Sequence, residues 1–277
     1  MDDQAECLAR IAAALERLAP PPQTASDWAN APAFVWDGLG TRAIASIEAP
    51  PLELLRGIDG QKATVAANVA RLAKGHAAHD MLLWGARGMG KSALIRAAVA
   101  AAQEAGGDVA LVQVSAGAVE SLPQLIAQLA DVARNFLVFI DDLGFAAEDD
   151  IALRQMRSWL DGGVDARPAN VRLAVTSNHR AILPRDAAEQ GDPIAPRDAV
   201  DDRLALADRF GLSLGFHNAG QDDFLAMLHG YAAHHGLTFD EADALEWAKR
   251  RGARSGRVAW HYMVELAGRA GRNLQPG

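Results

Sequence analysis

One cysteine, Cys7, is all that 277 residues contain. No disulfide can close within the chain, and a reducing compartment suits it. No apolar run approaches the roughly 18 to 20 residues that a helix needs to cross a bilayer. The opening MDDQAECLAR is acidic, without the basic start and hydrophobic stretch of a secretory leader. A cytoplasmic protein with no membrane partner is the expectation. Positive charge is scarce as well: 27 Lys and Arg face 35 Asp and Glu, a formal net charge of −8. That balance repels polyanions and excludes a general nucleic-acid coat protein, leaving room only for a local basic patch. Among the eight histidines, HGYAAHHG places His229, His234 and His235 close together, but no H-E-x-x-H and no carboxylate at ligand spacing accompanies them. Zinc is not expected, and these histidines are assigned to surface and core positions of a helical segment.

What is present is half hydrophobic, enough for one large domain with a smaller one, or for two of modest size. Within CLARIAAALERL (7 to 18), Leu8, Ile11, Leu15 and Leu18 form one apolar stripe on a helix that the prolines at 20 to 22 terminate. This arm either packs on the protein's own body or docks on a partner. DWANAPAFVWDG (27 to 38) carries Trp28, Phe34 and Trp36 and is expected to be irregular, its aromatics anchoring the arm. Further on, MLLWG, VALVQV, FLVFI, VRLAVTS and LSLGF predict five strands, most of them continuously apolar. Strands apolar on both faces belong to a parallel sheet covered by helices, so an α/β sandwich with a parallel five-stranded sheet is predicted. After GFHNAG the pattern is helical only, which predicts a small all-helical lid. The expected division is an arm and linker over 1–50, a nucleotide-binding α/β domain over 51–217 and a helical lid over 218–277. The stretch 185–202, rich in proline and charge, is expected to be an exposed loop.

The segment LLWGARGMGKSALIRAA (82 to 98) fits G-x-x-x-x-G-K-[ST] through Gly85, Gly90, Lys91 and Ser92, with a strand before it and a helix after it. With four lysines in the whole chain, a chance match is remote. Glycines let the backbone N–H groups of Ala86, Arg87, Gly88, Met89 and Ala93 turn toward a polyphosphate, and the helix N-terminus adds its dipole. Lys91 is expected to reach the β and γ phosphates, and Ser92 to ligate Mg²⁺, a hard cation that takes oxygen ligands. Arg87 either touches phosphate or projects into solvent.

A carboxylate for the metal should stand at the end of a neighbouring strand. FLVFIDD supplies Asp141 for Mg²⁺ and Asp142 to polarise the attacking water; the alternative for Asp142 is a cap on the following segment. TSNHRA is not a guanine-reading Asn-Lys-x-Asp motif. It puts Asn178 at the end of the fourth strand, within reach of the γ-phosphate or the water. LADRFG places Arg209 before the fifth strand, facing away from the chain's own cradle, with Arg203 as the competing residue. GARSGRVAW places Arg257 at a helix start in the lid, either pointed at the nucleotide or pairing with lid carboxylates.

In that order these segments resemble an AAA+ ATPase over roughly residues 50 to 272. The resemblance implies Walker A and Walker B motifs, sensor 1 at Asn178, an arginine finger at Arg209 acting across a homo-oligomer interface, and sensor 2 at Arg257. LLWGARGMGKS, FIDDL, TSNHRAILPRD, DRFGLSLGFH and RSGRVAWHY are more narrowly similar to a bacterial AAA+ ATP-binding family known as a domain of unknown function. GIDGQK resembles the segment that lies against adenine, with Ile58 and Leu55 in contact. The cofactors implied are ATP and Mg²⁺. Many AAA+ motors end Walker B with Asp-Glu, whereas this chain has Asp-Asp, as in initiator-type members, which fits slow turnover. Two functions follow: an ATPase that drives lid and subunit rearrangement on a macromolecular client, protein or nucleic acid, or an ATP-dependent switch or loader with little hydrolysis.

Overall fold

The computed structural model describes residues 27–143, 168–178 and 208–274, together with Leu160 and a few positions between 4 and 11. Seven strands form one sheet: β1 (Ala33–Trp36), β2 (Thr41–Ile44), β3 (Met81–Gly85), β4 (Val109–Val114), β5 (Asn135–Ile140), β6 (Val171–Ser177) and β7 (Leu212–Phe216), in the order β2-β1-β4-β5-β6-β3-β7. All neighbours are parallel except β1 and β2, which form an antiparallel hairpin. The five strands predicted from apolar runs are β3 to β7.

The remaining two strands correct the sequence reading. β1 lies within the stretch expected to be irregular, and both strands lie within the region expected to be arm and linker. Its four residues AFVW follow Pro32 and precede the turn Asp37–Gly40, so no periodicity is visible in so short a run. What holds it is distant in sequence: Ala33 to Trp36 pair with Leu111 to Val114 of β4. Trp28, Phe34 and Trp36 are buried and join the core on one face of the sheet, and Trp36 Nε1 donates to Ser121 Oγ at 2.7 Å. They therefore anchor a sheet edge. Of the amphipathic stretch 7–18, only Cys7, Arg10 and Ile11 are described, helical and exposed; the rest of it, the 185–202 segment and Arg203 lie outside the described residues.

Successive residues of a strand point to opposite faces, and this sorts the core into two layers. Met81, Leu83, Leu137 and Phe139 face α1 (Asp59–Ala73) and α2 (Lys91–Glu104). Leu82, Phe136, Val138 and Ile140 face α3 (Leu122–Ala130). The lid has α4 (Gln221–His235), α5 (Glu241–Arg250) and α6 (Gly256–Arg269). Asp240 caps α5 by accepting from Asp243 N, and Ser255 caps α6 by accepting from Val258 N; such caps satisfy N–H groups that have no partner inside the helix. Lid residues Phe224, Met227, Tyr262 and Met263 belong to the same apolar cluster as α1 and α2, so the lid is packed onto the sheet domain. Among the described residues, no helix is long and apolar enough to cross a membrane.

Candidate functional site

Parallel strands bring their carboxyl ends to one edge of the sheet, where ligands of open α/β folds bind. Here β3 ends at Gly85, β5 leads into Asp141 and Asp142, and β6 leads into Asn178, with Trp84 in register with Ser177 and Ile140 with Val175. The topology thus gathers residues nearly a hundred positions apart.

The loop Gly85–Gly90 depends on backbone shapes that a side chain would not allow. Gly85, Gly88 and Gly90 have φ of 115°, 74° and 87°. At Gly85 a Cβ would sit 2.2 Å from the carbonyl oxygen of Phe216, because Ala86 N donates to that oxygen at 2.7 Å. Gly85→Ala combines a left-handed φ with a collision against backbone, and we expect it to destabilise the fold by about 3 to 5 kcal/mol; denaturant unfolding measures this.

Lys91 is buried. Its ammonium donates to the Gly85 carbonyl at 2.8 Å, the Ala86 carbonyl at 2.9 Å and Asn178 Oδ1 at 3.1 Å. Burial pushes its pKa below the usual lysine value; Asp142 and Asp141 pull it back up, while Arg257 and Arg87 add to the lowering. Ser92 Oγ donates to Asp141 Oδ1 at 2.6 Å, and Thr176 Oγ1 donates to the same oxygen at 2.7 Å. Thr176 Oγ1 also accepts from Asp142 N at 2.8 Å, which fixes the turn after β5. Asp142 has φ of 53°, a left-handed conformation that Asp tolerates better than most residues, and its carboxylate accepts from Asn178 Nδ2.

These oxygens suit a hard divalent cation. Ser92 and Asp141 already touch, and such a site is completed by water and phosphate oxygens. Among the described residues no group of three or more His, Cys, Asp and Glu could hold a metal by itself.

The cleft over this edge has a volume of about 430 Å³. Gly88 to Ala93, Asp141, Asp142 and Asn178 line it, as do Leu55 and Ile58 from the segment before α1 and Arg257 from the lid. Leu55 and Ile58 are buried against Gly90, where a Cβ would contact both. Arg257 N donates to the Gly88 carbonyl at 3.0 Å. Ser255 Oγ and Arg257 Cβ approach Gly88 so closely that its missing Cβ would lie 2.9 and 3.0 Å from them. The lid is thereby fastened to the cradle.

Four of the residues singled out in the sequence do not line the cleft: Gly85, Ala86, Arg87 and Arg209. Gly85 and Ala86 reach the site through their carbonyls, which accept from Lys91, whereas Arg87 is exposed and Arg209 half-buried. Others were not anticipated. Thr176, Arg56, Arg96, Met227, Tyr231 and Trp260 line the cleft, and so do His234 and His235, which the sequence placed on lid surface or in the core. Trp260 packs edge-on to Tyr231 with ring centres 5.6 Å apart and lies the same distance from His235. Burial raises the Tyr231 pKa; burial first, then His234 and Arg272, lowers that of His235. Helical spacing carried part of this signal: Arg96 follows Ser92 by four positions and Trp260 follows Arg257 by three, so each pair shares a helix face.

Comparison with known proteins agrees with the geometry. A RuvB variant from Thermotoga maritima superposes with a TM-score of 0.52 at 17% identity, covering 82% of this chain and 68% of the other. The Orc1 protein of Aeropyrum pernix, solved in complex with DNA, superposes with a TM-score of 0.55 at 15% identity, covering 81% and 66% respectively. These similarities show the fold, that of the AAA+ P-loop ATPases. No match was found among the curated proteins. The model of one family, described as "Protein of unknown function (DUF815)", matches residues 29–270, and the chain belongs to that family.

Proposed function

We propose that this protein is a Mg²⁺-dependent ATPase that works as a homo-oligomer, coupling ATP binding and hydrolysis to movement of the lid and of neighbouring subunits on a macromolecular client. The observation that carries this reading is the hydrogen-bonded set Lys91, Ser92, Asp141, Thr176, Asp142 and Asn178 at three adjacent strand ends, with Arg257 held above it by Gly88. Loop N–H groups and Lys91 would bind the phosphates, while Leu55, Ile58 and Met227 offer the base an apolar slot. Mg²⁺, held by Ser92 and Asp141, would neutralise charge developing on the β and γ phosphates. Asp142 would accept a proton from the attacking water, and Asn178 would orient that water or the γ-phosphate. Arg257 would register the γ-phosphate, and its backbone bond to Gly88 would convey the difference between ATP and ADP to the lid. A ligand shifts a conformational equilibrium only by its differential affinity for the two states.

Asp142→Asn tests the assignment. Loss of a positioned base lowers turnover by about 100-fold or more, and ATP affinity should stay within about threefold of wild type, since the side chain sits beyond the phosphate-binding loop. Phosphate release and equilibrium binding read the two quantities separately. Unchanged turnover removes Asp142 from the mechanism.

One observation favours the second reading, a switch or loader with slow hydrolysis. Asp142 Oδ1 is engaged by the Asn178 amide and the residue is left-handed, so the carboxylate is tethered to Asn178 and meets a water only through what that bond leaves unused, chiefly its other oxygen. ATP-dependent change in assembly mass with negligible phosphate release would support the switch.

A further inference from the structure

The motifs account for the phosphates, the metal and the base. They do not account for Arg96. Its side chain lines the cleft, and its Nε–H is buried without a hydrogen-bond partner among the described residues. A buried N–H left unpaired is unfavourable, and such groups in native structures are met by a ligand or by water.

Its position says which part of a ligand it meets. Arg96 lies on α2, four residues after Ser92 and three after Ala93, on their face of the helix. It is one turn, about 6 Å along the axis, from the end that faces the phosphates. α2 packs against the 3₁₀ turn Leu52–Leu54, whose next residue, Leu55, walls the apolar slot. The phosphates belong to the helix N-terminus and the base to Leu55, Ile58 and Met227, so the sugar lies between them. Arg96 is the cation that α2 contributes to the cleft beyond Lys91, and the lid rings of Tyr231 and Trp260 line the same cleft.

We propose that Arg96 is a specificity-determining residue that donates to the ribose hydroxyls of the bound nucleotide, so that the site selects ribonucleotides over deoxynucleotides. This rests on the nucleotide reading above. A guanidinium presents N–H groups in a planar fork, which suits the adjacent 2′ and 3′ oxygens of a ribose. A hydroxyl that accepts such a bond, when removed, leaves the donor buried and unpaired again, and sites of this kind reject the analogue lacking the hydroxyl.

The test is calorimetric binding of ATP, 2′-deoxy-ATP, 3′-deoxy-ATP and AMP to the full chain, wild type and Arg96→Leu, with Arg96→Lys as a second variant that keeps the charge and loses the fork. For wild type we expect at least one deoxy form to bind about tenfold more weakly than ATP. In Arg96→Leu the ratio of ATP to deoxy-ATP affinity falls to about one, while the preference for ATP over AMP remains. Arg96→Lys should lose most of the discrimination at nearly unchanged charge, and it carries the test if Arg96→Leu does not fold. Wild type that binds all three triphosphates equally overturns the proposal, as does a variant that weakens ATP and deoxy-ATP alike, which would assign Arg96 to phosphate or to packing. Failure of wild type to bind any triphosphate would overturn the nucleotide reading itself, an outcome separate from loss of discrimination.

Discussion

Replacing Lys91 with alanine should remove ATP binding without unfolding the protein, lowering affinity by at least about 100-fold. The ammonium is expected to meet two phosphates, and hydrogen bonds to charged groups contribute about 1.5 to 3 kcal/mol each; two of them correspond to between roughly 10² and 10⁴ in affinity. The fold should not suffer in proportion. Lys91 is buried in a place that disfavours its charge, as the direction of its pKa shift records. Its partners are the Gly85 and Ala86 carbonyls and Asn178; Lys91 and Asn178 line the cleft, so water entering the space its side chain leaves can take its place. Removing a desolvated cation offsets the lost hydrogen bonds, so stability should change by less than about 1 kcal/mol. Calorimetric titration with ATP and denaturant unfolding together decide the matter. A variant that still binds ATP with wild-type affinity would show that the triphosphate does not engage this loop, and the reading of the cleft would fail with it.

That prediction rests on residues legible in the sequence, and the reason they are legible is physical. A strand buried on both faces is largely apolar, so β3, β5 and β6 appear as the runs MLLWG, FLVFI and VRLAVTS, and the residue at or just past the end of each run is delivered to the carboxyl edge of the sheet. Gly85, Asp141 and Asn178 follow directly. β1 was not legible, because AFVW is too short for a pattern and owes its conformation to pairing with β4. The lid side of the cleft was hidden for a related reason. Tyr231 and Trp260 look like ordinary members of amphipathic helices, and only the packing of α4 and α6 on each other, and of α4 on the 3₁₀ turn Leu52–Leu54, brings them to the cleft. Arg96 illustrates the limit best: its spacing from Ser92 was visible, but its significance depends on a buried N–H that only the assembled site reveals.

Arg209→Ala is expected to be the variant with the largest effect on turnover. In NTPases that use a trans-acting arginine, that residue contributes about 10³ to 10⁵ in rate, and a loss in this range is expected here with ATP affinity little changed. The argument for action across an interface comes from topology. Arg209 stands before Leu212, the amino end of β7, and Leu212 is in register with Met81 at the amino end of β3. The cradle begins at the opposite, carboxyl end of β3, about 13 Å away at the rise of a β-strand. Arg209 does not line its own chain's cleft and would have to serve a neighbour's. Two further consequences separate this from a merely structural role. Wild-type turnover per mole should rise with protein concentration as mass, read by light scattering, rises. A mixture of Arg209→Ala with Lys91→Ala should recover activity that neither has alone, because the first keeps an intact cleft and the second can lend its arginine. Recovery on mixing requires sites shared between subunits. A fully active Arg209→Ala, or turnover independent of concentration across the assembly range, would rule out the trans assignment and leave each cleft to act by itself.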